Sequence, residues 1–273
     1  MFIKIADFDI ESSWANHSWS KIYEWPQKEN ALVIVPLFGF ADWGLGHVLD
    51  IEEIIGSALI NKAIEEADLG KGILVTPPIR FQPQPFSNAA FAIDFETAYD
   101  LVDSILESIK ITGFKKVILF NTGPYNEQFT DIMGRDMRIK HALQMFCVNL
   151  SGLGLDLHPN RQASAMGMGS ANKGPVFSAD LENARLLASF LKSEASSVSS
   201  APIPNDAYEP GAPKTCQPLP GVASLEEAAE KGPEILAEAG SHFARLLLEI
   251  DARPPLPNDG AITFKTGYAP ATT

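Results

Sequence analysis

The sequence predicts an α/β fold, a three-layer α/β/α sandwich built on a mostly parallel sheet. Two patterns carry that expectation: short runs of Val, Ile, Leu and Phe recur without polar alternation, and amphipathic helical periods fall between them. A strand covered on both faces has no solvent side to furnish, so it reads as a continuous apolar run. Strand–helix alternation joins such strands by crossover helices, which makes neighbouring strands parallel.

The strand segments are ALVIVPLF (31–38), GILVTPP (72–78), KKVILFN (115–121) and QMFCVNL (144–150). The first helical period follows at DIEEIIGSALINKAIEEADLG, with Ile51, Ile54, Ile55, Ala58 and Leu59 on one stripe and Gly70 as C-cap. The second opens at Asp94 as N-cap, buries Leu101, Val102, Ile105 and Ile109, and stops at Gly113. Residues 180–194 read as a third helix. The last, within 224–251, carries a stripe of Ile235, Leu236, Ala239, Phe243, Leu246 and Ile250. One domain is expected over residues 1–273, with a Ser/Pro-rich excursion at 195–220 and an extended C-terminal arm from Pro254. The excursion reads either as a surface loop over a cleft or subunit contact, or as a disordered linker.

Composition narrows the function classes. With 45% apolar and 20% charged residues in a chain of 273, the composition is that of a soluble globular protein of enzyme size and excludes wholesale disorder. A formal net charge of -13 opposes nucleic acid and anionic membrane surfaces as main partners. The longest apolar run, ALVIVPLFGF, falls well short of the roughly 20 residues that span a bilayer. No basic segment leads into an apolar stretch at the start, so the cytoplasm is the expected location. Cys147 and Cys216 cannot build a disulfide framework or a CxxC metal site. No G-x-S-x-G, G-x-x-x-x-G-K-[ST] or G-x-G-x-x-G motif is present; AMGMGSANKGP reads as a loop over the cleft.

Several segments, in order, carry a resemblance. SWSKIYEWPQKENALVIVP is similar to the Trp-containing opening helix and first strand of the creatininase (creatinine amidohydrolase) family. SILESIKITGFKKVILFNTGPYNEQ resembles that family's helix, G-F, strand and N-G-H-G-G-N loop. VASLEEAAEKGPEILAEAGSHFARLLLEI is similar to its A-S-x-x-x-G-rich final helix. The likeness spans roughly residues 15–251. It implies an α/β/α sandwich, a homo-oligomer (often a hexamer), and a two-metal site that activates water to hydrolyse a C–N bond.

Residue by residue, the ligands implied by that resemblance are missing. In PLFGFADWGLGHVLDIEE the family's Glu falls on Ala41, its second His on Gly46 and its terminal Asp on Glu52. The metal-binding His of N-G-H-G-G-N falls on Gly123, and the Glu of the later H-A-G-x-x-E-T-S stretch on Ala163. QPQPFSNAAF offers no His where the family has one. Zn²⁺ or Mn²⁺ needs at least three imidazole or carboxylate ligands per ion at about 2.0–2.2 Å, and Glu52 alone remains. The expectation is therefore no bound metal and no other cofactor. His47 beside Asp50, Glu52 and Glu53 leaves two readings open, a relocated ion or a loop histidine before an acidic helix start.

Polar groups persist where the strands end, which is where open α/β sheets bind ligands. His158 with Asp42 or Glu52 is the candidate acid–base pair, because imidazole titrates near neutrality. Trp43, His47, Arg80, Asn121, Tyr125, Asn126 and Arg161 are the candidate substrate-binding residues, with Gln82 also following the second strand. Each has a structural alternative. The asparagines serve strand-to-helix turns, Arg80 a salt bridge, His158 a loop hydrogen bond, and Asp42 and Trp43 a turn. The expected activity is metal-independent acid–base chemistry on a small polar compound, a cyclic amide or keto compound. The alternatives are a non-catalytic relative that serves as partner of an active homologue, and an amidohydrolase with relocated ligands.

Overall fold

The structure, a computed structural model, describes residues 8–41, 48–83, 92–157, 178–191 and 224–254. Strand β1 (Leu32–Phe38) is the centre of a sheet in which every pairing is parallel. It lies between β6 (Lys116–Asn121) on one side and β2 (Ile73–Val75) with β3 (Ile79–Arg80) on the other. Strand β7 (Gln144–Asn149) extends the sheet beyond β6 in register, Lys116 opposite Gln144 through Asn121 opposite Asn149. A second, two-stranded parallel sheet joins β4 (Gln82–Pro83) to β5 (Ala92–Ile93).

Pro36 sits inside the central strand, where a missing N–H would normally break a ladder. Its nitrogen faces the side on which Ile34 accepts from the Thr76 N–H (2.9 Å) and Phe38 accepts from Phe81 (3.0 Å), because alternate residues of a strand point their polar groups the same way. On that side the stretch Thr76–Pro78 interrupts the edge between β2 and β3. The proline meets the gap. The run expected at 72–78 is therefore a strand only over Ile73–Val75; it stops where Pro77 and Pro78 remove two donors, and β3 begins beyond them at Ile79.

Alternation along β1 sorts its side chains into two cores. Leu32, Ile34 and Phe38 face α2 (Ile51–Ala67), α5 (Ala179–Leu191) and α6 (Leu225–Asp251), through Ile55, Leu59, Leu187, Phe243 and Leu247. Phe120 of β6 stacks on Phe243 of α6 at 4.9 Å between centroids. Val33, Val35 and Leu37 face α3 (Phe95–Ile111) and α4 (Glu127–His141), through Val102, Leu106, Met133 and Met137. The short α1 (Trp19–Tyr23) adds Ile22 to that second core. This is the α/β/α arrangement read from the sequence.

Some expectations need correction. Helix α2 ends at Asp68, itself left-handed at φ 48°, before Gly70. In α3 the buried stripe is Ala98, Val102, Leu106 and Ile109, and Leu101 is 40% exposed. The Asp94 cap holds: its side chain accepts from the Thr97 N–H at 2.8 Å. Helix α4 has little signature in the sequence, because its stripe of Phe129, Thr130, Met133 and Met137 is thin among charged residues. The excursion at 195–220, the AMGMGSANKGP segment, Cys216 and the arm beyond Pro254 lie outside the described residues.

Candidate functional site

Parallel strands bring their carboxyl ends to one edge, and the chain turns there into loops and helix starts. At that edge β1 passes into Gly39, β6 into Thr122 and Gly123, and β3 through Phe81 into Gln82. The first turn of α2 approaches the same place and carries Glu52 and Glu53, where acidic side chains oppose the positive end of the helix dipole.

Glu52 is the centre of the cluster, 0% exposed. Its Oε2 accepts from the Gly39 backbone N–H at 2.8 Å and from the Thr122 hydroxyl at 3.1 Å. Its Oε1 accepts from the Gln82 amide at 2.8 Å. A buried carboxylate is tolerated only when its lone pairs are matched, and three donors from three elements meet that condition. Gln82 is also 0% exposed, and its own Oε1 is buried without a hydrogen-bond partner.

Asn121 and Asn126 build the adjoining wall. The Asn121 amide donates to the Gly123 carbonyl (2.9 Å) and to Asn149 Oδ1 (3.0 Å), while its Oδ1 accepts from the Gly123 N–H at 3.2 Å. This side chain-to-backbone turn fixes the loop after β6, as expected of asparagine at such a corner. Asn126 ends the next turn, Pro124–Asn126, and its Nδ2 donates to the Phe81 carbonyl at 3.4 Å. Its Oδ1 is a second buried acceptor without a partner. Tyr125 on the same turn is 40% exposed. Arg80 grips Glu53 with two bonds, 2.6 Å from Nε and 2.7 Å from Nη2. That fork ties β3 to α2 beside the cluster.

Of the candidates named from the sequence, the structure gathers Glu52, Asn121 and Asn126, places Arg80 on the neighbouring Glu53, and leaves Tyr125 on the adjoining turn. His158, Asp42, Trp43, His47 and Arg161 lie outside the described residues. Gln82, named from the sequence only as a polar group after the second strand, is a direct partner of Glu52, and the sequence assigns no role to Gly39, Thr122 or Asn149. Their positions are far apart in the chain, and only strand register makes them neighbours. Cys147 lies on β7 with its thiol 3.2 Å from the Thr130 carbonyl, and burial pushes that thiol's pKa up to about 11. It is a poor nucleophile.

The described residues do not fit a pair of divalent cations. Ala41 is 1% exposed and belongs to an apolar core. A Cβ at Gly123 would stand 3.1 Å from Glu52 Oε2, 3.1 Å from Asn126 Nδ2 and 3.2 Å from Gln82 Nε2, so that direction is already filled. The Glu52 oxygens that would face an ion face hydrogen-bond donors instead. Among the described residues no group of three or more His, Cys, Asp or Glu side chains is placed to hold an ion. Gly46 and Ala163 are not among them.

No family profile matches the sequence, and no curated protein matches it. Solved structures do. A creatinine amidohydrolase (creatininase) superposes with a TM-score of 0.63 at 15% identity, covering 89% of this chain and 99% of that one. The manganese creatininase gives 0.63 at 15% identity, over 89% and 100%. A creatininase variant complexed with creatine gives 0.62 at 16%, over 89% and 100%. The agreement runs through nearly the whole of both chains, and by its backbone this protein has the creatininase fold.

Proposed function

We propose that this chain acts on a small polar compound, a cyclic amide or keto compound, by acid–base chemistry that uses no divalent cation. His158 with Asp42 or Glu52 is the proton-transfer pair, and Glu52 also ties together the segments that carry Gly39, Gln82 and Thr122. Trp43, His47, Arg80, Asn121, Tyr125, Asn126 and Arg161 belong to the ligand-facing set. The observation that carries this reading is the Glu52 carboxylate, buried and hydrogen-bonded to Gly39, Gln82 and Thr122 at the strand ends. The fold adds support, since its solved relatives include a creatininase complexed with creatine. A scaffold can change its chemistry by rebuilding the loops at such an edge. A homo-oligomer in the cytoplasm, with one domain per chain, completes the proposal.

The test is turnover of a panel of small cyclic amides and keto compounds by protein purified without chelator. His158→Ala and Asp42→Asn are each expected to lower kcat by roughly 10²–10⁴-fold, the usual worth of a general acid or base. Full turnover by His158→Ala discards the assignment, and full turnover by Asp42→Asn alone leaves Glu52 as the acidic member of the pair. A second reading, a binding protein or partner subunit of an active homologue, is favoured by the complete burial of Glu52, Gln82 and Asn126. Saturable binding of a panel compound without its conversion would select that reading. Stoichiometric zinc or manganese in the purified protein would select relocated ligands around His47 and Glu52.

A further inference from the structure

Gln82 reaches Glu52 across two bare backbone positions. A Cβ at Gly39 would lie 1.9 Å from Gln82 Nε2, 2.6 Å from its Cδ and 2.9 Å from its Cγ. A Cβ at Gly123 would lie 3.2 Å from the same Nε2. Gly39 and Gln82 are therefore interdependent: the amide occupies its place only because position 39 has no side chain, and Gly123 leaves it room for no more than a Cβ. A larger side chain at position 123, such as the histidine implied there by resemblance, would run into Gln82 and Asn126.

The amide also has the right polarity. Its N–H₂ is the electropositive end and points at a carboxylate oxygen 2.8 Å away, as a cation would. It is neutral, however, and the Gly39 N–H and the Thr122 hydroxyl are further neutral donors to the same carboxyl group. We propose that Gln82 is a positioning residue that stands in the place of a cation. Its amide, together with the glycines that admit it, closes this edge of the sheet to divalent ions. The proposal deepens the cation-free reading above, and its test needs no substrate.

The isosteric change Gln82→Glu replaces the amide nitrogen with an oxygen and alters little else. It sets a second carboxylate against Glu52 in a buried place, where two such groups must share a proton or recruit a positive ion. Carboxylate and hydroxyl oxygens suit manganese, and Thr122 adds a hydroxyl. The probe is Mn²⁺ alone, read by the loss of its free electron-paramagnetic signal and by the thermal midpoint at pH 8. Wild type and the neutral control Gln82→Met are expected to leave the ion free and the midpoint unmoved. Gln82→Glu is expected to take up about one equivalent and gain on the order of 4 °C with saturating Mn²⁺. Recovery of folded Gln82→Glu only when Mn²⁺ is present supports the proposal equally. Stoichiometric uptake by wild type, or by Gln82→Met, overturns it. So does a Gln82→Glu protein that ignores the ion or cannot be recovered even with it. Each of these outcomes is independent of turnover, so a failed activity assay and a failed manganese titration point to different errors.

Discussion

Gly39 and Gly123 meet the same amide at different distances, and the difference has a measurable consequence. Gly39→Ala puts a methyl group 1.9 Å from Gln82 Nε2 and 2.6 Å from Cδ, so the whole side chain must leave. The expected loss is about 1–3 kcal/mol for overpacking, plus the cost of a Glu52 oxygen left without its donor. Gly123→Ala meets its neighbours at 3.1–3.2 Å, which a small adjustment absorbs. Its cost is expected below about 1 kcal/mol. Urea denaturation of both variants checks the order, and equal losses would contradict the described packing. At this scale the sequence was informative in one direction only. Glycine and alanine at 41, 46, 123 and 163 announce that ligand side chains are missing. Nothing local announces that Gln82 fills the space, because its contacts depend on strand pairing across more than 40 positions of chain.

At the scale of elements, α3 and α4 are clamped by a charged cluster away from the sheet edge. Asp103 accepts from Lys140 at 2.6 Å and lies 2.7 Å from the ring nitrogen of His141, which is 5% exposed. Burial pushes the Asp103 carboxyl up, but the hydrogen bonds from Lys140 and His141 outweigh it and hold it below the ordinary carboxylate range. A carboxyl depressed in the folded state binds fewer protons there than when unfolded. Its contribution is thus present above its unfolded pKa of about 3.9 and is lost as pH falls through the lower folded value. Asp103→Asn is expected to cost about 1 kcal/mol at pH 7. The gap from wild type should shrink below about pH 4, as denaturant titrations at several pH values would show. A gap that widens in acid would contradict the assignment. Helix α4 also shows why element reading has limits. Strands β1 and β6 are legible because they are buried on both faces, β7 because its run is apolar although only Met145 and Val148 are buried, and α3 because Asp94 and Gly113 punctuate it. α4 packs on β7 and α3 through few apolar residues, and the charged clamp that helps hold it appears only once the fold has formed.

For the whole molecule, two apolar layers set on either side of β1 bring the loops after β1, β3 and β6 to one edge. The layer order, the parallel sheet and the position of that edge follow from the continuous apolar run of β1, buried on both faces, and amphipathic stripes in the helices, so the fold was legible. The chemistry at the edge was half legible. Absence of ligands can be read from residue identity, whereas the hydrogen bonds of Glu52 come from four segments meeting in space. A donor network occupies this edge, where relatives of the fold are expected to hold ions. A crystal structure of the protein grown in manganese chloride, with data collected at the manganese absorption edge, tests this most directly. The expected result is no anomalous peak at Glu52, with Gln82 Nε2 in hydrogen bond to its carboxylate. An anomalous peak within about 2.2 Å of a Glu52 oxygen, with Gln82 turned away, would contradict it.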